Sequence, residues 1–241
     1  TANAIGHGGA IVVAVQDASF SGGATILSRS LSPSDPGTGE GTGGRITVKG
    51  LEEGAESKAV SLTFTGFRSG IISDTFGTAL PGDIEVHAKT VSLTDGAVIE
   101  GGNSLSRGSG GSVEIFADSV GVSGGSHISS QTFALDAGQV TITANELILD
   151  NGSIVTSTSS QSGGRGGDIV LEVGTVSLKN GASINSQSET LSTGRAGDIT
   201  MNVGSLTLVE LAEITSSSEG IVADAGDAGK LLAPLAHLGL A

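Results

Sequence analysis

Cysteine is absent from the 241 residues, which excludes disulfides, thiolate metal sites and a cysteine nucleophile. That absence also fits an exported protein that avoids oxidative mispairing. Tyrosine and tryptophan are missing too, and six phenylalanines bring the aromatic content to only 2%. A core must then be assembled from Ile, Val, Leu and Ala, which suits thin, repetitive layers better than a bulky interior. Basic residues are scarce, 11 against 25 acidic ones, for a formal net charge of −14. Such a field repels phosphate backbones and anionic headgroups, so neither nucleic acid nor a membrane surface is an expected partner. No apolar run reaches the roughly 18 residues that span a bilayer, so no membrane insertion is expected. The opening Thr1-Ala2-Asn3-Ala4-Ile5-Gly6 has no charged segment ahead of an apolar stretch. The expectation is that a signal was removed, or that the sequence is a piece of a longer chain.

What the chain does contain is repetition. Its hydrophobic content of 37% is too high for a disordered polar tract, despite 40 glycines. A glycine, one variable residue and an alternating apolar pair recur as Gly82-Asp83-Ile84-Glu85-Val86, Gly111-Ser112-Val113-Glu114-Ile115 and Gly138-Gln139-Val140-Thr141-Ile142. They return as Gly167-Asp168-Ile169-Val170-Leu171 and Gly197-Asp198-Ile199-Thr200-Met201. The anchors at 84, 113, 140, 169 and 199 are spaced by 29, 27, 29 and 30 residues. Looser copies start at Ile11 and Ile46, and a degenerate one at Gly226-Asp227-Ala228. Apolar pairs follow each anchor (Val91/Leu93, Val120/Val122, Leu147/Leu149, Val176/Leu178, Leu206/Leu208), and a further residue stands 15 positions on: Ile26, Ile99, Ile128, Val155, Ile184, Ile214. In the second repeat Val60, Leu62 and Phe64 arrive late, implying roughly ten extra residues around Gly50 to Ser57 by this alignment.

Period-2 alternation in each block reads as three short strands with one face buried. Gly96, Gly125, Gly152 and Gly181 mark the second turn, where φ turns positive or backbones approach closely. Asp95-Gly96, Asn151-Gly152 and Asn180-Gly181 are equally hairpin signals for an antiparallel sandwich. Repetition decides between the two. Stacking each strand on its counterpart one repeat later gives every copy the same surroundings, so the expected fold is an all-β, single-stranded parallel β-helix of about seven coils with three short strands per coil. Small or β-branched residues four past the anchor (Ala88, Ala117, Ala144, Val173, Val203) suit a tight corner. The expected layout is a β-helix repeat domain over 1–229, with 31–44 as a surface loop. Residues 230–241 form an apolar C-terminal tail, acting as a cap or an assembly contact, in which Pro234 interrupts a leucine-rich helical face.

The stretch from Gly82 to about Gly220 resembles the repeat shaft of filamentous-haemagglutinin-type exoproteins, the passengers of two-partner secretion. It is carried by blocks such as Gly167-Asp168-Ile169-Val170-Leu171-Glu172-Val173 followed by Val176-Ser177-Leu178-Lys179-Asn180-Gly181-Ala182-Ser183-Ile184. The resemblance implies a right-handed β-helix, secreted or displayed on the cell surface of a Gram-negative or cyanobacterial-type bacterium. Surface or adhesive work is the function it implies.

Candidate chemistry is sparse. Polysaccharide lyases and hydrolases need acid and base on one exposed sheet. The nearest constellation is Glu85, His87 and Glu114, on neighbouring coils, and it reads as solvated polar residues. Without Tyr or Trp there is no aromatic platform for a sugar. His7, His127 and His237 have no metal-ligand spacing, so no transition metal or other cofactor is expected. Asp83, Asp168, Asp198 and Asp227 share one phase, and Asp168 and Asp198 would stack about 5 Å apart as weak cation candidates. Gly163 to Leu171 fits the calcium nonapeptide pattern once, whereas calcium rolls repeat it every nine residues; turn capping by Asp, with Arg165 or Arg195 nearby, is the plainer reading.

The sequence therefore points to a non-enzymatic adhesin shaft or extracellular fibre subunit. A carbohydrate-active enzyme on the same fold is the alternative. Another is a glycan- or protein-binding module using the serine-rich connectors, for example Thr156-Ser157-Thr158-Ser159-Ser160. Partners left open are a second copy joined end to end, a glycan or a surface protein.

Overall fold

In the computed structural model, the described residues are 8–31, 41–76, 79–102, 108–132, 135–158, 164–188 and 194–218. Most of the 31–44 loop, the tail at 230–241, the Gly226-Asp227-Ala228 copy, His7 and His237 lie outside them. Every described element is a strand, and every strand pair is parallel. The strands form a solenoid of one ten-stranded and one seven-stranded sheet, the chain passing from the first to the second in each repeat.

The anchors stack as expected from their spacing. Ile11 pairs with Ile46, Ile46 with Ile84, and Ile84 with Val113. Val113 then pairs with Val140, Val140 with Ile169, and Ile169 with Ile199. From Ile46 to Ile169 these side chains are fully buried, and the pairs further along each strand (Val91/Leu93 through Val176/Leu178) are buried with them. Each buried aliphatic contributes about 1.5–3 kcal/mol, in a ladder where every rung covers the next.

The first two strands expected of each repeat are one continuous element in Ile84–Thr94, Val140–Asp150, Ile169–Lys179 and Ile199–Leu208. The corner is present but does not break the ladder. After the buried Ala144 and Val173, two successive residues face solvent before burial resumes at Leu147 and Val176. Hydrogen bonding continues through the bend, where the Asn145 and Glu146 amides both donate to the Asp118 carbonyl at 3.0 and 3.1 Å. Small side chains at that position let the backbone change face within a single strand.

The second turn uses left-handed backbone, often at two residues in succession: Asp95 and Gly96, Gly124 and Gly125, Asn180 and Gly181. The Asp-Gly and Asn-Gly pairs thus make solenoid corners and not hairpins. The turn at Asn151 has only one such residue and is one residue shorter. The last aliphatic ladder therefore passes through Ile154, which pairs with Ile128 and Ile184, and Val155 is shifted out of it. At Glu210 and Leu211 the same left-handed pair falls on non-glycine residues, with φ of 55° and 65°. Leu211 is 93% exposed, so its side chain offsets none of that strain. Leu211→Gly should raise stability by about 1 kcal/mol, measured as a higher midpoint in thermal or denaturant unfolding.

The serine-rich stretch differs from its expected role. Its beginning is strand, and alternate hydroxyls point inward: Ser28, Ser73, Ser130 and Ser186 are buried. Ser130 receives the Gly138 amide at 2.8 Å and donates to the Gly101 carbonyl at 3.1 Å. Ser186 repeats this with the Gly197 amide and the Gly167 carbonyl. The Ser130 and Ser186 hydroxyls thus tie glycine backbone of one coil to the next, whereas the buried Ser73 hydroxyl has no hydrogen-bond partner, so one half of the interior is aliphatic and the other carries polar pins between coils. The opening glycines pack closely. A Cβ on Gly167 would overlap the carbonyl oxygen of Gly138, and one on Gly197 the carbonyl of Gly167.

Coil-to-coil ion pairs add to the stack. Arg29 grips the buried Asp74 through two 2.8 Å hydrogen bonds. Asp150 accepts from Asn180 at 2.6 Å and lies 3.2 Å from Lys179, contacts that hold its carboxyl below the ordinary carboxylate range. No helix among the described residues is long and apolar enough to cross a membrane.

Candidate functional site

Regular repetition leaves two columns of outward residues on the ten-stranded sheet. One runs Thr47, Glu85, Glu114, Thr141, Val170, Thr200, and the other His87, Phe116, Thr143, Glu172, Asn202. Glu85, His87 and Glu114, singled out from the sequence as outward neighbours, are brought together. His87 Nε2 donates to Glu85 Oε1 at 2.7 Å, and Arg45 Nη2 meets Glu85 Oε2 at 2.7 Å. Arg45 also lies 3.8 Å from Glu114. Both oxygens of Glu85 are therefore engaged.

His87 is only 4% exposed although its strand phase points it outward. Two features flank it. Its imidazole stacks on the Phe116 ring at 4.8 Å with 14° between planes. The second is the insertion in the second repeat. Thirteen residues separate Ile46 from Ala59, against four between the paired Ile84 and Ala88, so nine residues loop out above the sheet. The neck of this loop is pinned, because the Gly50 amide donates to the Ser57 carbonyl at 2.7 Å and the Ser57 hydroxyl to the Gly50 carbonyl at 2.8 Å. Lys49 Nζ donates to the Gly54 carbonyl at 2.7 Å, and Lys58 Nζ reaches Asp118 Oδ1 at the same distance. The result is a groove of about 480 Å³ between loop and sheet, lined by Glu56, Lys58, His87, Phe116, Asp118 and Asn145 among others. An aromatic side chain in the groove, which the composition argued against, is supplied by the half-buried Phe116 stacked on His87.

Sequence reasoning did not find Arg45, Lys58, Phe116 or Asp118. Arg45 occupies, one coil earlier, the position of Asp83, so its proximity to Glu85 was available from the spacing. The Lys58 contact was not, since it depends on how the insertion folds back.

A second Arg–Glu–His cluster sits on the other sheet. His127 Nε2 donates to Glu100 Oε1 at 2.9 Å, and Arg68 is 3.6 Å from the other oxygen. It links successive coils.

The aspartates ahead of the anchors act on backbone. Asp168 Oδ1 accepts the Asp198 amide at 2.9 Å, Asp83 Oδ1 accepts the Ser112 amide at 2.9 Å, and Asp136 Oδ1 accepts the Arg165 amide at 2.7 Å. One coil's carboxylate thus caps the next coil's turn. Among the described residues, no three His, Cys, Asp or Glu side chains converge to hold a metal, and neither Arg165 nor Arg195 forms an ion pair. Asp227 lies outside the described residues.

The chain matches no protein-family model, no curated protein and no solved structure.

Proposed function

We propose that this chain is a non-enzymatic structural rod, a secreted or surface-displayed β-helical shaft or a subunit of an extracellular fibre or sheath. In this reading it coils right-handedly, the usual hand of parallel crossovers, in about seven coils, the three expected strands running together into two in four of them, with a length of roughly 35 Å. Its place is outside the cell or on the surface of a Gram-negative or cyanobacterial-type bacterium, and its partners are further copies or surface components. The observation that supports this most is how the charged groups of the outward face are used: Glu85 is held by Arg45 and His87, and the imidazole is stacked and buried. A general acid and base need a free proton site facing substrate, and this trio spends its contacts on itself.

Two measurements test the reading together. Electron microscopy of the purified protein should show rods, joined or single. Assays on acidic and neutral polysaccharides should show no turnover. Turnover that disappears in Glu85→Gln or His87→Ala would overturn the reading in favour of a carbohydrate-active enzyme.

A further inference from the structure

Three departures from the repeat meet at one place. The nine-residue insertion occurs in a single described repeat. Phe116 is the one apolar side chain in a column that otherwise reads His87, Thr143, Glu172, Asn202. His87 is buried on a face meant for solvent. The stack does not need any of them, since the same column holds the polar Thr143, Glu172 and Asn202 in the later repeats without disturbing the register. Features beyond the needs of the scaffold, gathered around one groove, mark a site.

The chemistry of the lining restricts the occupant. Lys58 is paired with Asp118, and Glu85 with Arg45 and His87. Glu56 is exposed and forms no ion pair among the described residues. Acceptors therefore outnumber free donors, so the occupant brings its own donors, and an anion is disfavoured in a chain of net charge −14. Phe116 adds a flat apolar surface, and Asn145 and Thr143 add groups that both donate and accept. A volume of about 480 Å³ holds one or two small rings.

We propose that the groove beneath the 50–58 loop binds a non-acidic sugar, a neutral or amino hexose unit, with Phe116 as the packing surface and Glu56, Asp118 and Asn145 receiving its hydroxyls. This adds a ligand site to the rod and leaves its assembly untouched.

Saturation-transfer NMR on the full chain tests it, with glucose, galactose, N-acetylglucosamine, glucosamine and glucuronate as probes. Transfer should reach at least one neutral or amino sugar and exceed that to glucuronate. Phe116→Ala should weaken binding about tenfold. Asn145→Ala, at an exposed corner outside the core, should weaken it several-fold and guards against misfolding of the Phe116 variant. Thr200→Ala, remote on the same sheet, should bind as the wild type does. A loss in either groove variant, with Thr200→Ala unchanged, supports the site. Transfer to none of the sugars, preference for glucuronate, or unchanged binding in both groove variants overturns it. Microscopy of the same samples separates this outcome from the rod reading, because rods persist whichever way the sugar result falls.

Discussion

Gly167→Ala should destabilise the protein by about 4 kcal/mol, an exceptional cost for adding one methyl group. The reason is backbone against backbone. Gly167 lies over Gly138 in the preceding coil, and an added Cβ would overlap the Gly138 carbonyl oxygen, which no rotamer change can move. The strands on either side are fixed in register by Val140 with Ile169 and Ile169 with Ile199, so relief requires separating the coils. Ser186, which donates to the Gly167 carbonyl, would lose its geometry as well. Gly121→Ala is the control. It sits in strand Ser119–Ser123, a new Cβ there meets nothing within 4 Å, and alanine costs less chain entropy than glycine. That variant should gain about 0.5 kcal/mol. Denaturant unfolding of the two variants should give shifts of opposite sign; equal, small shifts would mean the coils are not in this contact.

Ile169→Asp should unfold the solenoid around its rung. Ile169 is fully buried between Val140 and Ile199, so the substitution removes about 1.5–3 kcal/mol of aliphatic burial and leaves a carboxylate without a partner. Together these reach the total stability of an ordinary domain, about 5–15 kcal/mol. Val170→Asp, one residue along and on the outward face, should change stability by about 0.5 kcal/mol or less. Circular dichroism and thermal melts distinguish the pair, and a wild-type melt for Ile169→Asp would mean that the inward phase is the opposite one.

The ladders were legible in the sequence because a repeat states its register many times over. Ile84, Val113, Val140, Ile169 and Ile199 pair as their spacing requires. Val155 was misplaced because the turn at Asn151 is one residue short, and aliphatic character alone does not choose between Ile154 and Val155. The buried serines escaped for a different reason. Hydropathy assigns a hydroxyl to solvent, whereas Ser130 and Ser186 are buried by pairing with glycine backbone 8 and 11 residues later in the chain. At the candidate site, Glu85, His87 and Glu114 were recognisable as neighbours from strand phase. The stacking of His87 on Phe116 follows from the same register, which pairs the two residues on adjacent coils. The enclosure of the groove was not available, since the fold of the insertion follows from its pinned neck and the Lys58–Asp118 contact and not from any period.

Parallel, in-register stacking is tested most directly by a single distance. Thr90, Ser119, Glu146, Thr175 and Ser205 are successive register partners on the outer surface. The protein has no cysteine, so Thr90→Cys with Ser205→Cys places two unique attachment points for spin labels. Four inter-strand steps of roughly 4.8 Å put those backbones about 19 Å apart, although 115 residues separate them in sequence. Pulsed electron paramagnetic resonance should give a narrow distribution near that value, widened only by the label arms. A distance beyond about 35 Å, or a broad distribution with no maximum near 19 Å, would contradict the stack.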